Sequence, residues 1–418
     1  MVREINLNHL CKVEGHASVY IRIKKNRVET VELKAEEGAR FFEGLLLGKK
    51  AEDVLEIVSR ICGICSSSHT IAAANALERA LGKKVFKKTK VIREMMLIGE
   101  RIRSHATHLY FLILPDYLNW GNKLRDNQRI NEAIKLIRFG NKIIERIGGR
   151  EIHPFIKKEE FLNLTDLEKE AKELRKIAER TVFLFNSLDY PEMERECEFL
   201  CLKKEGEYSF SEGELTSSDK RIKTSDYSRH LKENIKEYAT SKFVLFDGRP
   251  YVCGASVRIN NNFKEIDTRT KKIIRKNKIK IPIKNPFKNS IAQALEISIC
   301  IEKFLQLTKM LKSLKEKEVV TNSFIGRGIS AIEAPRGTLF HEYNVSKEGK
   351  IIYCNIITPT AQNLNQIEID IKDYLNNLLK RKCSKERIIK DIERLIRAYD
   401  PCFSCSTHFL KVKLVEEK

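Results

Sequence analysis

The 418-residue sequence contains no run of about eighteen apolar residues, so no transmembrane helix is expected. A leader pattern is missing too. The first thirty residues carry Glu4, Glu14 and Glu29 and alternate apolar with charged side chains, unlike a signal peptide. No glycine-rich nucleotide fingerprint occurs, so a nucleotide electron acceptor would have to bind another chain. Acidic residues are in deficit, 57 against 78 basic ones, for a formal charge of +21. The densest basic stretch, Lys271 to Lys288, has few aromatics, and the other lysines are spread over helical faces. That excludes a concentrated nucleic-acid footprint and favours a lysine-rich surface or the docking of an acidic partner. Cysteine is not scarce, but its count of eleven is odd and no export signal accompanies it. A reducing compartment, the cytoplasm, with free or metal-bound thiols is the expectation.

What is present is one device used twice. Cys62-Gly63-Ile64-Cys65 is followed by His69, and Cys402-Phe403-Ser404-Cys405 by His408. A three-residue offset returns the second thiol of each pair to the same side of a turn, so four thiolates can face one soft or borderline metal. Spacing alone leaves a structural zinc open. The pairs lie at opposite ends of the chain, however, so the whole fold must close before the site exists, unlike a zinc ribbon. A thioredoxin-type dithiol would sit in a strand-turn-helix unit near a βαβ pattern. The remaining seven cysteines have no motif context and read as core or incidental, Cys197 and Cys201 on a candidate helix.

Periodicity gives the organisation. His16 to Ala35 alternates as a β-hairpin, entered through Glu14-Gly15. From Ala51 the pattern is helical, with Val54, Ile57, Val58 and Ile61 on one face, which places Cys62 and Cys65 at the end of that helix; Ser68 to Ala80 starts another. Long amphipathic stretches follow at Val91–Leu114, Asn127–Ile147 and Thr165–Leu188, the last opening on a capping-box pattern, Thr165 to Glu168. His105 and His108 lie in the first; with no third ligand nearby they read as packing or hydrogen-bonding groups. Glu205 to Asp226 is a polar loop or small β-excursion, and Phe243 to Ile259 reads as two strands about the Asp247-Gly248 turn. Helices are expected at Ile291–Leu314, Ile367–Leu379 and Ser384–Arg397. The fold class is α+β, predominantly α, a long-helix bundle with small peripheral β-sheets and no clean domain boundary.

Arg60-Ile61-Cys62-Gly63-Ile64-Cys65 to His69, and Asp400-Pro401-Cys402 to His408, resemble the two signature motifs of the large subunit of nickel–iron hydrogenases. Four weaker elements stand in the family's order: Val13-Glu14-Gly15-His16, Arg40 to Glu43, Glu333-Ala334-Pro335-Arg336-Gly337, and Pro359-Thr360. Lys12 stands at an arginine position, Phe41 replaces a glycine, and Ser104 stands where many members carry aspartate. By this resemblance Cys62 and Cys402 bind nickel terminally, while Cys65 and Cys405 bridge it to an iron carrying carbon monoxide and cyanide. Arg336 lies over the metals with Asp400 as its partner, and Glu14 relays protons. Thr360, with Pro359 and Pro335, lines the diatomic ligands. Glu43 and His408 hold a magnesium or iron ion. Dihydrogen cleavage is then heterolytic, with Cys402 or the Arg336 region as base.

The resemblance also implies partners: an iron–sulfur small subunit, since no spare cysteine motif could hold a cluster here, a further electron-transfer subunit, nickel-insertion factors and a maturation protease. The protease would remove residues 409–418 and leave a mature chain of 1–408, resembling the cytoplasmic, cofactor-coupled archaeal branch. A hydrogen-sensing homologue and a zinc-stabilised, non-enzymatic subunit of a redox complex are the alternatives.

Overall fold

The computed structural model describes residues 2–36, 38, 41–118, 127–155, 162–314 and 324–407. His408, Arg40 and the 409–418 extension therefore lie outside the described residues. Helices dominate: α1 (Ser66–Ala80), α2 (Lys87–Thr107), α3 (Asn127–Gly148), α4 (Thr165–Asn186), α5 (Ala255–Asn261), α6 (Asn289–Ser313), α7 (Pro359–Lys380) and α8 (Lys385–Ala398). α2 packs against both α3 and α6, and α6 against α4, forming the bundle. The amphipathic pattern explains this: Met95, Leu97, Ile98 and Ile102 of α2 and Leu136, Phe139, Ile143 and Ile144 of α3 are all buried. α6 is buried around most of its circumference, down to Glu296 and Gln293, because it runs through the middle of the bundle. α2 continues at His108–Ile113 as a π-helical segment.

Among the described residues the strands form three three-stranded and two two-stranded sheets. β1 (Val2–Leu7), β2 (Ala17–Lys24) and β3 (Arg27–Ala35) make one antiparallel sheet, with the expected hairpin between β2 and β3. β4 (Arg327–Ala334), β5 (Gly337–Val345) and β6 (Ile351–Ile357) make a second. This second sheet lies deeper than a peripheral one. α1 covers β4 and β5, α7 also contacts β5, and almost every residue of those two strands is buried.

The structure departs from the sequence reading at four local points. The helix before Cys62 stops at Ser59, so Cys62 lies in a turn and Cys65 caps α1. Thr165 is the first residue of α4 rather than its cap, and its amide donates to Asn163 Oδ1 at 3.1 Å instead. Lys242–Phe246 and Tyr251–Val252 are strands, but they do not pair as a hairpin ladder. The first pairs with Leu231–Ile235 and the second runs parallel to Glu198–Phe199. Beyond them Gly254, at φ +131°, turns the chain into α5, whose Ser256 amide is held by Asn289 Oδ1. Cys201 sits in a strand, Cys201–Lys203, and Cys197 just ahead of another, not on a helix.

Candidate metal centre

The first cysteine pair is placed by the start of α1. Cys65 caps that helix without a side-chain hydrogen bond, and a carboxylate from α2 does the work instead: Glu100 accepts from Ser67 N at 2.6 Å and Ser68 N at 3.2 Å. Glu100 is fully buried, and burial raises its pKa. Arg103 Nη2, also from α2, donates to Ile64 O at 2.6 Å. The His153 ring Nδ1 donates to Ser59 O at 2.7 Å, so the Gly148-to-Pro154 turn supports this loop.

The second pair is placed by α7 and by the chain before β2. Thr358 caps α7 and Pro359 occupies its first position. Thr360 Oγ1 accepts from Cys402 N at 2.8 Å, a different task from capping. Phe403 N donates to Glu14 O at 2.9 Å. Gly15 allows this approach. It has φ +81°, and a Cβ there would stand 2.8 Å from Ser404 N.

These supports bring Cys62, Cys65, Cys402 and Cys405 together, all buried, with every sulfur within 4.8 Å of the others. Sγ–Sγ separations are 3.7 Å for Cys62–Cys402, 3.3 Å for Cys65–Cys405 and 2.7 Å for Cys402–Cys405. All are longer than the roughly 2.05 Å of a disulfide, and all four thiols are free. Burial pushes the Cys402 and Cys405 thiols well above their ordinary range, while hydrogen bonding from Cys402 and Cys405 holds Cys62 well below it. Four thiols crowded out of water cannot all ionise without a cation among them. The donor set therefore fits a thiolate-bound metal.

Other polar groups stand around the sulfurs. Glu14 Oε2 lies 2.9 Å from Cys402 Sγ and accepts from Ser404 N at 3.2 Å. Pro335 and Arg336 form the two-residue turn between β4 and β5. Gly337 follows at φ +141°, where a Cβ would stand 2.4 Å from Cys253 Sγ. Arg336 Nε donates to Asp400 O at 2.8 Å and Oδ1 at 3.1 Å, and Nη2 meets Oδ1 at 3.0 Å. Burial opposes the charge on Arg336, but Asp400 and the neighbouring sulfurs keep it protonated. Among the described residues its buried Nη1 has no hydrogen-bond partner. Cys65, His69, Pro335, Arg336, Pro359 and Thr360 contribute to the wall of a small cavity beside the sulfurs. His69 is oriented from behind, Nδ1 to His341 Nε2 at 3.0 Å and His341 Nδ1 to Tyr343 OH at 2.7 Å.

Two expected relationships look different. Glu43 Oε1 accepts from Lys242 Nζ and from Ile356 N, both at 2.8 Å, so an ammonium meets this carboxylate; its expected partner His408 lies outside the described residues. Ser104 is buried with Oγ unpaired among the described residues, and Asp400 is the carboxylate that meets Arg336. Sequence reasoning missed Glu100, Arg258, Gln293 and Glu296. None stands in a motif, and their partners lie on other elements.

The sequence model of the nickel-dependent hydrogenase family matches residues 40–140 and 156–408. The alpha chain of sulfhydrogenase 1 from Pyrococcus furiosus is 34% identical over 428 residues, covering 98% of each chain. One chain of the vhu F420-non-reducing hydrogenase of Methanocaldococcus jannaschii is 28% identical, over 90% of this chain and 100% of that one. Among solved structures, an NAD+-reducing [NiFe]-hydrogenase in its H2-reduced state superposes with a TM-score of 0.85 at 25% identity, covering 97% of this chain and 99% of that chain.

Proposed function

The chain belongs to the nickel-dependent hydrogenase family, an oxidoreductase acting on dihydrogen, and from that membership we propose that it is the catalytic large subunit of a nickel–iron hydrogenase that cleaves or forms dihydrogen heterolytically. The observation that carries this reading is the convergence of Cys62, Cys65, Cys402 and Cys405 on one buried point from opposite ends of the chain. Cys62, Cys65, Cys402 and Cys405 would together hold the nickel–iron centre. A bound nickel–iron centre supplies a redox-active Lewis acid that polarises the H–H bond.

The chain's own groups manage the proton. Cys402 Sγ would serve as the base, because Glu14 Oε2 stands 2.9 Å from it and could take the proton on. The backbone bond from Phe403 N to Glu14 O keeps that distance short whatever the charge on the carboxyl. Arg336 keeps a guanidinium facing the sulfurs, and Asp400 fixes its direction. Thr360 accepts from Cys402 N, so its own O–H remains to donate into the cavity that Pro335 and Pro359 also line, and there it would serve a diatomic ligand such as carbon monoxide or cyanide.

The named relatives are themselves single components of multi-chain hydrogenases, which supports partnership with two further chains: an iron–sulfur small subunit, plus another electron-transfer subunit. Nickel-insertion factors and a protease releasing residues 409–418 complete the proposal, leaving a mature domain of 1–408. A magnesium or iron ion between Glu43 and His408 would share Glu43 with Lys242, which donates to its Oε1. Among the described residues no helix is long and apolar enough to cross a membrane. That, and the archaeal relatives, support a cytoplasmic site. Dihydrogen-dependent dye reduction by the purified complex tests the proposal. Its absence in nickel-loaded protein would favour a sensor.

A further inference from the structure

The mechanism above requires Arg336 to face the sulfurs, yet its side chain meets the rest of the protein mainly through Asp400. The turn that carries it has a second anchor, remote from the sulfurs. Arg258, on α5, is fully buried, and each of its five N–H groups has an acceptor. Nη2 donates to Pro335 O at 2.8 Å and Glu296 Oε2 at 2.7 Å. Nη1 donates to Ala334 O at 3.1 Å and Glu333 Oε2 at 3.0 Å, and Nε to Glu296 Oε1 at 2.6 Å. The guanidinium thus grips both carbonyls just ahead of Arg336.

Glu296 is itself fixed. It accepts from Tyr208 OH and from His105 Nε2, each at 2.7 Å. Glu333 accepts from Leu202 N and Thr338 Oγ1, which pins the strands on both sides of the turn. One turn along α6 from Glu296, Gln293 Nε2 donates to Asp400 Oδ2 at 3.1 Å, and its Oε1 meets His108 Nδ1 at 2.6 Å. The same helix therefore sets both members of the Arg336–Asp400 pair. A buried charge cluster is an expensive way to fill a core. Here it is aimed at one two-residue turn.

We propose that Arg258, held by Glu296, is the positioning residue for Arg336, fixing where that guanidinium stands over the metal centre. This rests on the reading of Arg336 as an acting group. Its distinctive requirement is the planar fork, not the charge. A lysine would still neutralise Glu296 and Glu333 but could not hold two carbonyls and two carboxylates at once.

The test uses the purified complex with Arg258→Lys, and Arg336→Lys in parallel. Nickel content, melting temperature, kcat and KM for dihydrogen are measured, with amide exchange in peptides spanning 333–339. Arg258→Lys is expected to keep its nickel but to melt at a lower temperature, since a lysine leaves some of the five buried bonds unmade. Its kcat falls by something of order 10²-fold, as a misplaced group costs. KM changes little, and exchange in 333–339 quickens. Full kcat at full nickel overturns the proposal, and so does a loss of turnover that only tracks lost nickel. Full turnover in Arg336→Lys would instead remove the reading underneath, and this proposal with it. If Arg258→Lys does not assemble, Glu296→Gln, which frees the guanidinium from its fixed partner, is judged by the same readouts.

Discussion

Glu14 Oε2 lies 2.9 Å from Cys402 Sγ although 388 residues separate them, and the backbone of each is tied to the same short loop. On the proposed reading the carboxylate exchanges a proton with the sulfur. Glu14→Gln keeps the backbone bond from Phe403 N, so fold and nickel content should be unchanged. Dihydrogen turnover should fall by about 10²- to 10⁴-fold, the usual contribution of a positioned acid–base group. Assays on metal-quantified protein check this, and undiminished turnover would show that protons leave another way.

Thr360 gives Cys402 N its acceptor at 2.8 Å in a buried setting. Thr360→Val keeps the shape and strands that amide, at a cost of about 1–3 kcal/mol. A lower melting temperature and reduced nickel retention during anaerobic dialysis are expected. Thr360→Ser should restore both.

Gly337 sits at φ +141° against Cys253 Sγ. Gly337→Ala must push that sulfur aside and adopt a conformation that L side chains rarely take, which should cost about 2–4 kcal/mol. The melting temperature should drop, and turnover per nickel should drop with it because Arg336 precedes the strained residue. Gly349→Ala, at φ +76° with open space around it, gives the cost of a positive φ without a clash for comparison.

Burial lowers the His105 pKa to about 4, so the imidazole is neutral when folded and titrates near its ordinary value when unfolded. Between these values the unfolded chain binds the extra proton, so stability rises with pH and is lost as pH falls from about 6.5 toward 4. The loss in full is about 3 kcal/mol, most of it by pH 5. His105→Gln, which can still donate to Glu296, should flatten the fall in melting temperature between pH 7 and pH 5. An unchanged slope would assign the acid sensitivity elsewhere.

The long helices were legible because their apolar faces repeat at helical spacing. The cysteine cluster was legible because Cys62, Cys65, Cys402 and Cys405 stand in two short C-x-x-C motifs. What could not be read was tertiary in origin. The Phe243–Ile259 strands have partners elsewhere in the chain, which local alternation does not specify. Lys242 is 199 positions from the Glu43 it meets. Glu100 caps a helix that begins 34 residues earlier, a task usually read from the residue next to the helix. Arg258, in a stretch that reads as a strand, and Glu296, on an expected helix, stand in no motif, and only the packed structure reveals them as a buried support.

The most direct test of the central claim is metal content of the anaerobically purified native complex, counted per large chain by mass spectrometry. About one nickel per chain, with iron in excess of it, is the predicted result for four thiolates that hold a nickel–iron pair. Zinc near one per chain with no nickel, from cells shown to be nickel-replete, would contradict the account and make the four cysteines a structural zinc site.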